Sequence, residues 1–425
     1  MAKNGLITAL DIGSSKIVCM IAYADAAGKI KVAGIGHQIS QGIRSGMIID
    51  IKKAESSILG AVNAAEKMAG ETIDKAIINI SPNSLGSRIV SIETKISGHE
   101  VTEMDITHII QQGCEQCAAE ETKIIHCIPI YYTIDDSPGI KDPKGMFGEK
   151  LSTELHVITA SATSVRNLTN CLARCHLDVE DYVVSSYMSG LACLTEDEKN
   201  LGVILLDIGA GSTSIAMFAE GVLVYADSIA LGGDHITRDI ARGLGTSITG
   251  AERIKTLYGA VVATQADEHE SIEIPQDDLQ HDMQPEVNFE NRYTHGESYI
   301  SRALLTSIIK PRVEEILEMV RRNLEIKGFY QVSGPRVVLT GGSAQLQGIR
   351  ELTSHIFNKH VRVGRPEYIE GMADSVQNPA FSTCIGMLKY AIATRETGTG
   401  AERQSEGDAD KGSVNRMVEW FKKNF

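Results

Sequence analysis

Two short loops with the same residues are the first candidates for chemistry in this chain. Each follows an apolar run and reads Asp-Ile-Gly, at Asp11-Ile12-Gly13 and at Asp207-Ile208-Gly209. Glycines permit positive φ and let backbone N–H groups converge on phosphate oxygens, and a carboxylate at a strand end can hold Mg²⁺ directly or through water. One copy alone is a weak signal and is more often a plain β-turn. Two copies in matched context predict a phosphate site, with Asp11 and Asp207 facing the metal.

Two glycine pairs are further candidates for close approach to a ligand. Gly341-Gly342 follows the apolar run 337–339 and precedes Ser343, which we expect to cap a helix. Gly232-Gly233 forms a similar junction and is a candidate wall on the phosphate side. Backbone without a Cβ can approach a ribose, a flat ring or a phosphate closely. A tight strand-to-helix turn is the alternative interpretation of both pairs.

Glu252 and Lys255 are candidates for contact with a nucleoside. Glu252 lies three residues after Thr249, so a capping box explains this pair without any ligand. Lys255 lies nearly one helical turn beyond Glu252 and could reach a base or a ribose. Both interpretations of the segment stay open.

The chain has eight cysteines, and two pairs of them are close in sequence. Cys114 and Cys117 form one pair and Cys171 and Cys175 the other, both in stretches with a helical pattern. No second pair follows at the spacing of a zinc ribbon. We expect free and mostly buried thiols, with redox or metal chemistry as the alternative.

The first Asp-Ile-Gly loop is positioned by a predicted α/β unit over residues 1–82. Apolar runs at 6–10, 16–23, 31–36 and 76–80 predict strands. Apolar residues at helical spacing predict a helix over 51–68, and Gly70 is its expected C-cap. Helices expected at 164–175 and 185–194 return the chain to this unit, so residues 161–200 are assigned to it.

Residues 83–160 have a different pattern of apolar residues, which predicts a small α+β insert. Short alternating strands at 87–92, 124–132 and 151–160 surround one predicted helix over 103–121. Two prolines and several glycines loosen the middle of this segment. The insert is therefore expected to be an accessory surface on the main fold.

The second Asp-Ile-Gly loop lies in a unit that repeats the opening pattern. Residues 205–212 match residues 9–15 in order and kind, and each segment is followed by a returning apolar run. Such a repeat argues for duplicated α/β halves that face each other. We assign residues 201–234 and 333–393 to the second half and 235–332 to a helical elaboration, which includes a polar, acidic loop at 265–297.

Composition limits the class of protein and its partners. A chain of 425 residues is too long for one compact core. The net charge of −14 argues against a nucleic-acid surface, because phosphate binding needs a basic field. No apolar stretch reaches the ~18 residues of a membrane span, and the first residues carry no signal-peptide pattern. We therefore expect a cytosolic protein.

The C-terminal residues combine a predicted linker with a predicted amphipathic helix. Residues 394–412 are polar and predict a flexible linker. In a helix over 413–425 one face would be apolar, and Trp420 would border that face. That face would contain Val414, Met417, Val418, Phe421 and Phe425, and the basic residues are Arg416, Lys422 and Lys423. The pattern is typical of a helix lying in the plane of an anionic membrane. Docking on the protein itself or on a partner is the alternative.

In this order, the segments resemble the five motifs of the actin, Hsp70 and sugar-kinase ATPase superfamily. These motifs fall at 11–16 (phosphate-1), 185–194 (connect-1), 207–213 (phosphate-2), 340–345 (adenosine) and 379–390 (connect-2). Within the superfamily the chain is similar to the FtsA family of bacterial cell-division proteins. The resemblance covers essentially all of the chain, and the residues that carry it are 42–46, 185–187, 194–198, 201–203, 207–209, 338–342 and the C-terminal helix.

The resemblance implies an α/β protein with an actin-like, two-lobed ATPase fold, duplicated ribonuclease-H-like subdomains and a small α+β insert. It also implies ATP with Mg²⁺ as the ligand. Phosphates would lie against Gly13, Ser14, Ser15, Lys16, Gly209, Gly211, Ser212, Thr213, Gly232 and Gly233. The nucleoside would lie against Glu252, Lys255, Gly341, Gly342 and Ser343.

The resemblance further implies partners at the cytoplasmic face of the inner membrane, at the division septum. These are other copies of the chain in filaments, the tail of the tubulin-like protein FtsZ, and later division proteins that bind residues 83–160. Residues 309–312 are expected to open a long helix, on which Arg312 could pair with the acidic FtsZ tail. The connect-1 segment offers no carboxylate or amide, so we expect slow hydrolysis and a nucleotide that acts as a switch.

Two alternatives belong to other functional classes. A sugar- or acetate-type kinase would share the nucleotide motifs but has no use for a linker and an amphipathic tail. An Hsp70-type chaperone would need a β domain after residue 390, and a pilus-assembly protein of this fold lacks the tail. The leading prediction is therefore a nucleotide-binding scaffold at a membrane.

Overall fold

The computed structural model describes residues 5–25, 29–81, 85–275 and 299–396. The predicted membrane helix at 413–425 lies outside the described residues, as do most of the predicted linker and most of the predicted acidic loop. Among the helices in the described ranges, none is both long and apolar enough to cross a bilayer.

The first half of the chain contains the first of two similar sheets and the insert. Its elements in chain order are β1 (Leu6–Ile12), β2 (Lys16–Ala24), β3 (Ile30–Ile39), β4 (Ile43–Arg44), β5 (Met47–Ile48), α1 (Ile51–Ala69), β6 (Lys75–Ile80), β7 (Gly86–Lys95), α2 (Glu103–Cys117), β8 (Thr122–Ile134), β9 (Ser137–Ile140), β10 (Lys150–Ser161), α3 (Ala162–Arg174), β11 (Asp178–Val184), α4 (Ser185–Cys193) and α5 (Glu196–Leu201).

The second half contains the second sheet and most of the long helices. Its elements are β12 (Val203–Ile208), β13 (Thr213–Ala219), β14 (Val222–Ile229), α6 (Gly233–Leu244), α7 (Ile248–Tyr258), β15 (Ser271–Glu273), β16 (Tyr299–Ser301), α8 (Arg302–Ile326), α9 (Phe329–Val332), β17 (Arg336–Thr340), α10 (Ile349–Phe357), β18 (His360–Val363) and α11 (Ser382–Glu396). Short 3₁₀ helices lie at Gln265–Glu268, Gly342–Gln345, Asp374–Val376 and Pro379–Phe381.

The two five-stranded sheets have the same strand order and directions. The first is β11-β6-β1-β2-β3 and the second is β18-β17-β12-β13-β14. In each, the Asp-Ile-Gly strand pairs antiparallel with the next strand in the chain and parallel with a later one. The predicted duplication is therefore confirmed. We call the first sheet with α1 and α3 the first lobe, and the second sheet with α6 to α10 the second lobe.

Strand β12 is buried on both faces, which explains its unbroken apolar run. Val203 and Leu205 face a core that continues into the first lobe and the insert. Ile204 and Leu206 face a second core, under the helices of the second lobe. Since side chains alternate between the faces of a strand, one short segment contributes to both cores.

Helix α1 forms where the sequence predicts it and has a cap at each end. The Asp50 side chain accepts a hydrogen bond from Lys53 N, and Gly70 ends the helix in the left-handed region at φ 72°. This conformation favours glycine because it lacks a Cβ. The apolar face of α1 packs on β2 and β3, so the helix supports the strand that follows the first loop and its neighbour.

The insert is a four-stranded sheet, β7-β10-β8-β9, with α2 packed against it. The predicted helix over 103–121 ends at Cys117, because Ala118 is extended and a bridge from Ala119 to Thr122 starts β8. The insert also touches the second lobe. His156 Nδ1 donates to the Leu223 carbonyl at 2.8 Å, and Ser87 Oγ accepts from Ala226 N at 3.3 Å.

Helices α4 and α11 lie between the lobes and cross at very short range. A Cβ on Gly386 of α11 would lie 1.8 Å from the carbonyl oxygen of Met188 in α4. Only glycine permits this separation without a shift of one helix. The crossing places polar residues of both helices beside the second Asp-Ile-Gly loop.

Three expectations about helix boundaries are corrected by the structure. Ser247 caps α7 by accepting from Gly250 N, so the predicted capping box from Thr249 to Glu252 is wrong. Helix α8 begins at Arg302, so residues 309–312 lie inside it and do not open it. Helix α11 extends to Glu396, into the start of the predicted linker. There Thr394 Oγ1 donates back to the Tyr390 carbonyl and makes a hydrogen bond typical of a continuing helix.

Candidate functional site

A cavity of about 370 Å³ lies between the two lobes, and both Asp-Ile-Gly loops line it. All but two of the residues predicted to contact phosphates, metal or nucleoside lie on its wall. These residues are Asp11, Gly13, Ser14, Ser15, Lys16, Asp207, Gly209, Gly211, Ser212, Gly233, Glu252, Lys255, Gly341, Gly342 and Ser343. Segments that are far apart in sequence therefore converge on one cavity.

The two exceptions are Thr213 and Gly232, which lie behind the wall. Thr213 is fully buried, and its hydroxyl donates to the Leu231 carbonyl at 2.8 Å. A Cβ on Gly232 would lie 2.6 Å from the carbonyl oxygens of Gly209 and Ala210. Both residues thus support the second loop from behind the cavity wall. The prediction that they contact the ligand is therefore wrong.

The two Asp-Ile-Gly loops close in the same way. Gly13 N donates to the Lys16 carbonyl at 3.0 Å, and Gly209 N donates to the Ser212 carbonyl at 3.0 Å. Neither glycine has positive φ, which corrects the reason given from sequence. The requirement is steric, since a Cβ at Gly13 would lie 2.8 Å from the Lys16 oxygen and one at Gly209 would lie 3.1 Å from the Ser212 oxygen.

Asp11 is held by an amide from the neighbouring strand of its own lobe. Asn79 Nδ2 donates to Asp11 Oδ1 at 2.7 Å, and Asn79 Oδ1 accepts from Ile12 N at 2.6 Å. Asn79 Nδ2 also reaches Ser185 Oγ at 3.0 Å, and Ser185 contacts Ser81. Asn79 therefore fixes both the carboxylate and the backbone of the first loop.

Asp207 is held by hydroxyls from the two crossing helices. Ser189 of α4 donates to Asp207 Oδ2 at 2.6 Å, and Thr383 of α11 donates to the same oxygen at 3.2 Å. The two hydroxyls are also 2.9 Å apart. The position of this carboxylate thus depends on elements that lie between the lobes.

Burial of the two carboxylates in one cavity raises the pKa of both. The pKa of Asp11 rises to about 7, first through burial and also through repulsion from Asp207, against the attraction of Lys16. Burial raises the pKa of Asp207 as well, while its hydrogen bonds from Ser189 and Thr383 oppose the rise. A cation between the loops would relieve this desolvation and repulsion.

The two carboxylates fit a Mg²⁺ ion only together with other ligands. In the described ranges no three His, Cys, Asp or Glu side chains are grouped closely enough to hold a metal ion by themselves. Mg²⁺ is usually bound by one or two carboxylates and completes its octahedron with phosphate oxygens and water. The donor set at Asp11 and Asp207 is of this kind.

The lobes also touch directly at the edge of the cavity. Ser45, in the turn between β4 and β5, donates through its hydroxyl to the Gly211 carbonyl at 2.8 Å. A Cβ at Gly211 would lie 2.5 Å from Ser14 Oγ and 2.8 Å from Ser45 N. Glycine at 211 is therefore required for the two phosphate loops to approach this closely.

The opposite wall holds the residues predicted to face a nucleoside. Glu252 and Lys255 form a salt bridge at 2.6 Å, and Lys255 Nζ donates to Thr237 Oγ1 at 2.8 Å. Gly341 has φ 86°, and Gly342 begins a 3₁₀ helix. Ser343 lies inside that 3₁₀ helix, so the expectation that it caps a helix is wrong. Its hydroxyl donates instead to the Gly209 carbonyl at 3.4 Å.

Several residues of the site were missed from the sequence. Asn79, Ser81, Ser185 and Thr383 all line the cavity, and Ser189 supports it. Asn79 had a usable signal, because an amide near the end of an otherwise apolar strand needs a partner when it is buried. Ser189 and Thr383 lie inside the connect-1 and connect-2 segments, but nothing in those segments distinguished them from the other small polar residues.

Two further predictions concern residues away from the cavity. Arg312 donates to Asp239 Oδ2 at 2.6 Å and also pairs with Glu315, so any acidic peptide would have to compete with these carboxylates. All eight cysteines are free and buried, which confirms the simpler interpretation of the two pairs.

Two facing sheets of this order, with twin loops at a shared cavity, define the actin-like class of two-lobed ATPase folds. Solved structures agree. The chain matches the PilM-PilN type IV pilus biogenesis complex with a TM-score of 0.64 at 16% identity, covering 91% of this chain and 98% of that one. It matches MreB5 of Spiroplasma citri bound to AMPPNP with a TM-score of 0.54 at 14% identity, covering 93% and 99%. The predicted fold class is confirmed.

Within this class, the sequence comparisons define the family. The family model described as cell division protein FtsA matches residues 204–386, and the model of the SHS2 domain inserted in FtsA matches residues 83–159. The cell division protein FtsA of Agrobacterium fabrum is 38% identical over 436 aligned residues, which cover 100% of this chain and 96% of that protein. The chain belongs to the FtsA family of cell division proteins.

Proposed function

We propose that the protein binds ATP with Mg²⁺ in the cavity between its lobes and that binding sets how the lobes close. The observation that carries this proposal is the placement of two partly buried carboxylates, Asp11 and Asp207, from opposite lobes in one cavity. A cation between the two carboxylates would relieve the desolvation and repulsion that raise their pKa values, and its charge would also balance that of phosphates. The ligand would therefore join the two loops.

Each part of the ligand has candidate partners on the wall of the cavity. Asp11 and Asp207 would hold Mg²⁺, which supplies positive charge to balance the phosphates. Ser14, Ser15 and Lys16 would contact phosphates from the first lobe, and Gly211 and Ser212 from the second. Glu252, Lys255 and residues 341–343 would hold the nucleoside.

We propose that hydrolysis is slow. Among the described residues that line the cavity beside Asp11 are Asn79, Ser81 and Ser185. The Asn79 amide already binds Asp11, Ile12 and Ser185, so it is poorly placed to orient an attacking water. A slow step suits a nucleotide that controls assembly, as the family relation suggests.

The proposed output is a filament that links the FtsZ ring to the membrane. Residues 413–425 would lie on the anionic cytoplasmic surface of the inner membrane at the septum, and residues 83–160 would bind later division proteins. One short amphipathic helix binds weakly, whereas many helices on one polymer bind by avidity. Membrane attachment would then depend on assembly and on ATP.

Liposome flotation tests this output. The full chain and a truncation after Lys411 are mixed with vesicles that contain anionic lipid, with ATP and Mg²⁺ or with EDTA. We expect flotation of the full chain only, and more of it with ATP. If both proteins float equally, or if neither floats, the membrane role is refuted.

A pull-down with the FtsZ tail peptide tests the proposed contact at Arg312. Arg312→Glu should abolish binding. The matched variant Asp239→Asn removes the carboxylate that holds Arg312 at 2.6 Å and should strengthen binding. If the Arg312→Glu variant still binds the FtsZ tail peptide as the parent does, the assignment of Arg312 is refuted.

A further inference from the structure

An aromatic ring lies against the one lysine of the first phosphate loop. Phe381 ends the 3₁₀ helix Pro379–Phe381, just before α11. The Lys16 ammonium lies over this ring, 3.5 Å from its centroid. His37 contacts the same ring edge-on, with 6.2 Å between the ring centroids. The ring is thus held between a β3 side chain and the lysine.

Lys16 lies at the cavity with its ammonium against the Phe381 ring. Lys16 lines the cavity beside Ser14 and Ser15. Burial lowers its pKa, and the carboxylate of Asp11 acts in the opposite direction. Within the described ranges, however, Lys16 forms no salt bridge. The long lysine side chain would therefore have several positions available if the ring were absent.

An aromatic face can hold an ammonium without using up its hydrogen-bond donors. The attraction comes from the negative face of the ring and grows when water is excluded. A carboxylate would neutralise the lysine, whereas a ring leaves both its charge and its N–H groups available for phosphate oxygens. The Phe381 ring can therefore hold Lys16 close to an anion while the charge and the N–H groups of the lysine stay available.

The same segment also reaches the other lobe's carboxylate. Thr383, two residues after Phe381, donates to Asp207 Oδ2 at 3.2 Å. Residues 379–383 therefore contact both the Lys16 ammonium of the first loop and the Asp207 carboxylate of the second. The segment is placed to set the two groups relative to each other.

We propose that Phe381 is the positioning residue for Lys16, and that its ring holds the ammonium at the phosphate end of the cavity. This inference rests on the proposed binding of ATP and deepens it. Nucleotide affinity then depends on an aromatic face at position 381, and not on the volume of the side chain alone.

Titration of ATP with Mg²⁺ into the full chain tests this dependence. Phe381→Leu keeps an apolar side chain but removes the aromatic face, and we expect about a five- to tenfold weaker Kd, between the values typical of an exposed and of a fully desolvated cation–π contact. Phe381→Tyr keeps the face and should stay within about twofold of the parent. In a Lys16→Met background, Phe381→Leu should cause no further loss. Equal affinity of the Leu variant and the parent, or the same loss without Lys16, overturns the inference.

A measurement without nucleotide separates this inference from the proposed function. In NMR spectra of the nucleotide-free protein, the ring current of Phe381 should shift the Lys16 ε-proton signal upfield, with Lys16→Met giving the assignment. The shift should persist in Phe381→Tyr and vanish in Phe381→Leu. A parent chain that shows the shift but binds no ATP refutes the proposed function. A parent that binds ATP without the shift refutes the role of Phe381.

Discussion

The two Asp-Ile-Gly loops share a sequence and a turn but are supported in different ways. Asp11 receives its hydrogen bond from Asn79, on the adjacent strand of the same sheet. Asp207 receives its hydrogen bonds from Ser189 and Thr383, on the two helices that cross between the lobes. At the position equivalent to Asn79, the second sheet has Thr340, whose hydroxyl bonds to Pro379 and Ser382 and not to the loop.

This difference shows that a duplicated fold can divide its tasks between two similar sites. The first loop is held mainly by its own sheet, with one further contact from Asn79 to Ser185 at the start of α4. Its geometry should therefore depend less on how the lobes are arranged. The second carboxylate is tied to α4 and α11, so any shift of these helices moves it. We infer that the second loop senses the arrangement of the lobes, and the following predictions test that asymmetry.

The largest expected effect comes from removing the charge of Asp11. Its pKa is about 7 in the folded, nucleotide-free protein and 3.8 in the unfolded chain, so the folded state holds the proton more tightly. The stability contributed by this group is present below about pH 4 and is lost as pH rises through 7. Asp11→Asn should therefore be more stable than the parent by about 4 kcal/mol at pH 8 and equal to it near pH 4.

Denaturant titrations in EDTA between pH 4 and pH 8 measure this effect. Asp207→Asn is the matched control, and its gain should be smaller because two hydroxyls already favour the ionised form of Asp207. Equal gains for the two variants would contradict the asymmetry between the loops.

The next effect concerns the crossing of α4 and α11. Gly386→Ala places a methyl group 1.8 Å from the Met188 carbonyl oxygen, which forces the helices apart. We expect a loss of about 3 kcal/mol in the free energy of unfolding. Gly60→Ala in α1 is the control, since its Cβ would meet only the Gln38 side chain at 3.4 Å. If Gly386→Ala lowers the free energy of unfolding no more than Gly60→Ala does, α4 and α11 are not packed tightly at their crossing.

Removing Asn79 should cost about 2 kcal/mol. Asn79→Ala leaves the backbone N–H of Ile12 without its 2.6 Å acceptor inside the protein, and an unsatisfied buried donor costs about 1–3 kcal/mol. Chemical denaturation at pH 7 measures the change. A loss well under 1 kcal/mol would mean that water or a neighbour replaces the amide, and that the first loop is not fixed by its sheet.

The smallest effect is expected from Thr383→Val, at about 1 kcal/mol. This change preserves the shape of the side chain and removes one hydrogen bond, while Ser189 still donates to Asp207 at 2.6 Å. The double variant with Ser189→Ala should lose more than the two single losses combined, because Asp207 then has neither hydroxyl. If the stability losses of the two single variants simply add, the hydroxyls of α4 and α11 do not act together on Asp207, which would contradict the proposed support of the second loop.

The sequence predicted the repeated loops well because they depend on local chemistry. In both copies the flanking apolar runs form strands, and Asp-Ile-Gly begins the tight turn between them. Gly341-Gly342 was also placed correctly on the cavity wall. These signals are short, and their residues are needed for the turn itself.

The missed features depend on contacts between distant segments. Phe381 and Lys16 are 365 positions apart, and no local pattern relates an aromatic residue before a helix to a lysine after a turn. The cap expected at Ser343 failed because α10 begins later, after Gly348 at φ 81°. The expected capping box at Glu252 failed because Ser247 starts α7 earlier. Propensity identified the helices, but competing cap residues decided their first turns.

The most direct test of the central claim is a calorimetric cycle with ATP and Mg²⁺ on the parent, Asp11→Asn, Asp207→Asn and the double variant. If both loops hold one ligand, the parent binds ATP more tightly with Mg²⁺ than in EDTA. Each single variant then loses most of this gain, and the double variant loses little more than either single one. Affinities that are the same in Mg²⁺ and EDTA, or losses that add as for independent sites, would contradict a nucleotide shared between the lobes.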